Sequence, residues 1–223
     1  MLSQAGTQLY RFHMIDFDPF PLGKSYLDRA LSIQPDLPQA QEAHAVLGLI
    51  EDDREYERVV KGRRPEQALA EVGESERLEI LPILMQESYR RNKLEESEAR
   101  ARELLTLAAH FPHHRNFANF LFKANMLLGK IAMRRGDKRK AGMYLLEAAN
   151  SPRSEQLSYI QILMELPRSL IDWGERDTVA SFLERCATFN FDKKQLTEWA
   201  DQIRHGVNPN LIPSAMGCAN APC

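Results

Sequence analysis

The chain has 223 residues, 29 Lys and Arg against 31 Asp and Glu, and a formal net charge of −2. That length buries a core as one large domain or two small ones, and near-neutral charge argues against a dedicated nucleic-acid binder. With 43% hydrophobic and 27% charged residues, the composition is that of a soluble helical protein, neither disordered nor collagenous. No apolar run reaches the roughly 18 residues of a transmembrane helix, so no membrane partner is expected.

Residues 1–10 lack a basic region followed by an apolar stretch, so no secretory signal is read there. Tyr10, Phe12 and Met14 alternate before Asp16-Phe17-Asp18-Pro19 breaks the run. Residues 1–22 are therefore expected as an extended segment that tucks aromatic rings against the first helix. From Gly23 the period turns helical: Leu27, Ala30 and Leu31 share a face until Pro35, which cannot continue a helix. A longer helix is expected over about 39–60, with Ala43, Val46, Leu47 and Ile50 on its apolar side and a solvated run from Glu51 to Glu55. Residues 61–65 read as a turn. The segment to about Leu94 is highly charged and is interrupted by Gly73 and Pro82.

The second half has clearer punctuation. A helix over 94–110 carries Leu104, Leu105, Leu107 and Ala108 and stops at Pro112. Phe117, Phe120, Leu121, Ala124, Leu128, Ile131 and Ala132 then recur at amphipathic-helix spacing. Gly136 closes that helix and Asp137 N-caps the next, which carries Ala141, Tyr144, Leu145 and Ala148 and ends at Asn150-Ser151-Pro152. A further pair is expected over about 155–173 and 175–187, joined across Gly174. In the last helix Asp192 and Gln195 form a capping box, Leu196, Trp199, Ala200 and Ile203 make one stripe, and Gly206 suits the C-cap.

Paired short helices with a glycine at the turn point to an internal repeat. Leu128-Gly129, Ala132, Gly136-Asp137, Ala141, Leu145, Ala148 and Pro152 form the strongest unit. It resembles the tetratricopeptide repeat, with a Leu-Gly pair in helix A, a Gly-Asp turn, and small and bulky residues at fixed offsets in helix B. A second unit aligns Leu166, Leu170, Gly174-Glu175, Val179, Leu183 and Cys186, with Pro167 in place of the helix-A glycine. The resemblance covers about 95–205 and implies an all-α fold, antiparallel helix pairs stacked as a short solenoid over 23–206. It also implies a groove lined by helix-A residues: Lys123, Met126, Lys130, Met133 and Arg134, then Gln161, Met164 and Arg168. The cations would draw an acidic or extended peptide by charge-assisted hydrogen bonds, and the methionines would offer adaptable apolar contact.

Other clusters read more plainly. The basic run from Arg134 to Lys140 lacks interleaved aromatics and suits a helix end, so nucleic acid is not an expected partner. His110, His113 and His114 stand close in sequence but lack a fourth ligand for a tetrahedral metal site, and His13, Asp16 and Asp18 are a similarly poor set. No nucleophile elbow, Gly-rich phosphate loop, HExxH or Cys-x-x-Cys pair occurs, so neither catalysis nor a cofactor is expected. Three cysteines make no disulfide framework, and a cytoplasmic location is expected. Cys186 sits on an apolar stripe and reads as core.

The tail over 207–223 has no charged side chain and contains Pro209, Pro213, Pro222, Cys218 and Cys223. It is expected to add little to the core. Two functions follow from this layout. One is a non-catalytic scaffold that binds a partner protein. The other is the precursor substrate of a tail-modifying enzyme, with the helical domain as recognition leader and Cys218 and Cys223 as the modified residues.

Overall fold

The structure, a computed structural model, describes residues 20–34, 38–154, 157, 164–189 and 193–211, without the side chains of 20, 38, 39, 41, 42, 44–46 and 49. The expected aromatic run at 10–17 lies outside them. Ten α-helices and no strand are found among the described residues, so the chain is all-α as expected. Two compact units divide it, residues 1–58 and 59–223.

In the first unit, α1 (Phe20–Ile33) is followed by α2 (Pro38–Val60), whose last two residues belong to the second unit. Pro38 occupies the first turn of α2, where its missing N–H has no helical partner to lose. On α1, Leu22, Tyr26 and Ile33 stay exposed, whereas Ala40 and Leu47 of α2 are buried.

The second unit contains α3 (Pro65–Glu71), α4 (Glu74–Arg90), α5 (Leu94–His110), α6 (Phe117–Arg134), α7 (Lys138–Ala149), α8 (Glu165–Asp172), α9 (Arg176–Cys186) and α10 (Lys193–Arg204). Its most closely packed helices are α6 with α7, α4 with α5 and α9 with α10, while α8 packs more lightly on α9. The first helices of successive pairs touch, α4 on α6 and α6 on α8. So do the second helices α7 and α9, while α5 packs on α6 and α7 on α8. The α5 span matches the sequence expectation to the residue.

One turn recurs along this unit. Gly136, Gly174 and Gly206 have φ of +77°, +89° and +81°, the left-handed region that glycine enters without a Cβ penalty. After each, the next N–H reaches back five residues to a carbonyl: Asp137 to Ala132, Glu175 to Leu170, Val207 to Gln202, all at 2.9 Å. A fourth copy uses Asn92, at φ +59°, with Lys93 N–H on the Ser88 carbonyl at 2.9 Å. Asparagine is the other residue that tolerates this conformation, so the α4–α5 pair is closed like the others although no glycine marks it. Asp137 caps α7 as expected, its carboxylate accepting the Lys140 N–H at 3.0 Å. Asp192 lies outside the described residues.

Two prolines behave differently from simple breakers. Pro82 was expected to interrupt its segment, but α4 runs through it. Leu78, Ile80, Leu81, Leu84 and Met85 flank it with no exposed surface. Burying each contributes roughly 1.5–3 kcal/mol, together more than the roughly 3 kcal/mol that an interior proline costs. Pro167 sits in the first turn of α8, where its N–H would be unpaired anyway.

Two apolar clusters form the core of this unit. One gathers Leu78, Leu81, Met85, Leu104, Phe120, Leu127, Leu128 and Ile131 from α4, α5 and α6. The other runs from α6 to α10 and includes Leu145, Leu166, Leu170, Val179, Phe182, Leu183, Trp199 and Ile203. Cys186 belongs to the second cluster, and burial raises its thiol pKa. It is core, as its stripe implied.

The tail differs from expectation at its start. Leu211 is 1% exposed and belongs to the second cluster. Residues 207–211 form no helix or strand, yet they are not a bystander.

Candidate functional site

Of the expected groove residues, Lys123, Met126, Lys130, Met133 and Arg134 lie on α6, Arg168 lies on α8, and Met164 immediately precedes α8. Met126 and Met164 are not on a surface: both are buried in the second apolar cluster, at 1% and 5% exposure. Unbranched and apolar, they fill the space between packed helices, where burial gains more than a half-wet groove position would. Met133 is partly buried against the same cluster. Gln161 lies outside the described residues, as do Cys218 and Cys223.

The cations have distinct settings. Lys130 pairs with Glu165 of α8, and its side chain keeps only 14% of its exposure. Arg134 lies 3.9 Å above the Tyr89 ring and donates to Asn92 Oδ1 at 3.0 Å. It therefore ties the end of α6 to the turn after α4. Burial raises the Tyr89 phenol pKa, with the Arg134 charge opposing that rise. Lys123 is half-exposed and forms no ion pair among the described residues.

Arg168 does something the sequence did not suggest. It donates to the backbone carbonyl of Leu211. Eight residues on, Arg176 at the start of α9 donates to Asn208 Oδ1 at 2.6 Å and to the Val207 carbonyl at 3.5 Å. An irregular five-residue stretch is thus held by two guanidinium groups and by one buried anchor, Leu211. Its other side chains are largely outside the core: Val207 is 52% exposed, Asn208 and Asn210 are exposed, and Pro209 is half-buried. Glu165 and Arg168 are three residues apart on α8, hence on one helical face. Glu165 thus pairs with Lys130 of α6, and Arg168 holds the Leu211 carbonyl of the segment.

Most of the basic turn is engaged by local partners. Arg135 pairs with Glu98 and, at 3.3 Å, with Glu95. Hydrogen bonds from Arg102, then Arg135, hold the Glu98 carboxyl below the usual range. Lys138 donates to the Trp173 carbonyl at 3.2 Å and lies 5.2 Å from the indole ring. Lys140 pairs with Asp137 at 3.2 Å. Exposed pairs of this kind are worth about 0–1 kcal/mol each, and these bind neighbouring helices and turns to one another.

The histidines diverge. His110 faces Glu74 at 3.6 Å, His113 is exposed, and His114 Nε2 lies 3.3 Å from the buried Glu79 carboxylate. Among the described residues no three metal-ligating side chains converge, and His13, Asp16 and Asp18 lie outside them. His114 Nδ1 accepts the Asn116 N–H at 3.1 Å, while the approach of Nε2 leaves the buried Glu79 Oε1 without a hydrogen bond. Through that hydrogen bond and the approach to Glu79, this imidazole links α4 to the loop before α6. Asn119 donates to Asn116 Oδ1 at 3.1 Å and accepts from Ser154 at 3.0 Å, extending the buried network to the chain after α7.

No protein-family model, curated protein or solved structure matches the chain.

Proposed function

We propose that the chain is a non-catalytic scaffold, a short tetratricopeptide-like solenoid that holds an extended, acidic segment of a partner protein along the first helices of its pairs. Four copies of one turn support the solenoid, together with packing that runs pair to pair in chain order, as stacked repeats require. The observation that carries the binding reading is Arg168. A helix-A side chain at the position matching Lys130 in the preceding unit holds an irregular stretch of polypeptide by its carbonyl. Beside it, Glu165 already places a carboxylate on Lys130, the contact an acidic partner would make with the less engaged Lys123. No described helix is long and apolar enough to cross a membrane, and Cys186, the one cysteine among the described residues, is a buried free thiol; the scaffold reading includes a cytoplasmic location.

Panning a random nonapeptide display library against the full chain tests the reading. The wild type should enrich acidic sequences. Lys123→Glu should bind the same peptides at least tenfold more weakly, with an unchanged helical circular-dichroism spectrum. Salt should weaken wild-type binding, because exposed charges are screened over about 8–10 Å at moderate ionic strength. Equal binding by both proteins, or no acidic enrichment, would remove the proposal.

A further inference from the structure

We infer that the 207–211 segment is an internal ligand, and that its seat on α8 and α9 is a binding site for an extended, uncharged segment with a leucine-class anchor. The inference rests on the scaffold reading and names a second part of the partner: beyond the acidic stretch facing Lys123, an apolar anchor for the Leu211 seat.

Three features separate this stretch from ordinary core. It buries one side chain deeply, Leu211, while Val207, Asn208 and Asn210 are exposed. It lies beyond a completed helix stop at Gly206, so its release breaks no helical hydrogen bond except the closing Val207 to Gln202 contact. Its remaining ties are side-chain donors, Arg168 to the Leu211 carbonyl and Arg176 to the Val207 carbonyl and the Asn208 side chain. Two of these acceptors are main-chain carbonyls, which any extended peptide offers at regular spacing. Pro209 lacks an N–H and favours an extended backbone, which lowers part of the ordering cost for a similar segment to dock. A single anchor flanked by backbone contacts is the pattern by which grooves recognise extended peptides.

An attached segment competes at high effective concentration. The wild-type chain should therefore resist an external copy, and weakening the anchor should open the seat. The probe is a fluorescein-labelled peptide, Gly-Val-Asn-Pro-Asn-Leu-Ile-Pro, the sequence of residues 206–213, titrated by anisotropy into the full-length chain. Leu211→Ala should bind it at least tenfold more tightly than the wild type does. The same peptide with alanine for leucine should show no binding, and Arg168→Ala added to Leu211→Ala should abolish the gain. A second variant guards against misfolding: a six-residue Gly-Ser insertion between Gly206 and Val207 changes no core residue and lowers the effective concentration of the segment. It should also raise peptide affinity, by several-fold. A folded Leu211→Ala protein with no gain, or an insertion variant with no gain, overturns the inference. Such a failure would leave the Lys123-dependent enrichment of acidic peptides intact, whereas failure of the scaffold reading would remove that enrichment itself.

Discussion

Gly129→Val lowers the unfolding free energy by about 3 kcal/mol, the larger of the two stability losses expected here. A Cβ at this position would stand 2.5 Å from Leu166 Cδ2, 3.4 Å from the Ala141 carbonyl oxygen and 3.5 Å from Tyr144 Cβ. Leu166 is 1% exposed, so its methyl has no solvent side to move into. Overpacking a close-packed site costs about 1–3 kcal/mol, and valine adds two further carbons where α6 meets α7 and α8. The relief from removing a mid-helix glycine, about 0.5–1 kcal/mol, offsets only part of this. For a chain of this size the melting temperature should fall by roughly 6–12 °C, from about 2–4 °C per kcal/mol. An unchanged urea midpoint would show that α6 and α8 do not approach in this way.

Leu211→Ala costs about 2 kcal/mol. The side chain is 1% exposed in the cluster shared by α6 to α10, and deleting a buried leucine loses its transfer free energy and leaves a cavity. The loss stays at the low end for leucine truncations. Ordering five residues costs about 1–2 kcal/mol each in backbone entropy, so a weakened segment detaches instead of holding an empty cavity closed. A thermal melt should drop by about 4–8 °C. A melt that did not move would contradict the placement of Leu211 in the core.

The helical punctuation of this chain was written in residues with one conformational meaning. Gly136, Gly174 and Gly206 each sit in the left-handed region, and Pro38 and Pro65 each start a helix. Asn92 performs the same task as the glycines but is ambiguous in sequence, since asparagine also serves in turns and caps, and the α4–α5 pair went unrecognised for that reason. Pro82 misled because propensity is local, whereas the apolar side chains that keep α4 intact are satisfied only by contacts with α5 and α6. Helical spacing put Lys123 and Lys130 on one face, and the tetratricopeptide resemblance put Arg168 at the position equivalent to Lys130 in the next unit. Neither could show that Lys130 faces Glu165, because that pairing depends on how α8 lies against α6. Met126 and Met164 carry no charge to separate groove from core, so spacing alone placed them wrongly. Leu211 was hidden by its surroundings: the adjacent pair Leu211-Ile212 among Asn, Pro and Ser gives no periodic signal. The His114–Glu79 contact joins residues 35 apart in sequence through the α4–α6 packing, a distance at which no local pattern operates.

Photo-crosslinking from the helix-A face tests the central claim most directly. A benzophenone side chain is placed at position 123 on α6 or at position 143 on α7, where Met143 is 48% exposed. Each protein is irradiated with an acidic peptide enriched by the wild-type chain, and the adducts are located by mass spectrometry. The scaffold account predicts an adduct from position 123, lost when unlabelled peptide is added in excess, and none from position 143. Crosslinking of equal yield from both positions, or from 143 alone, would contradict it.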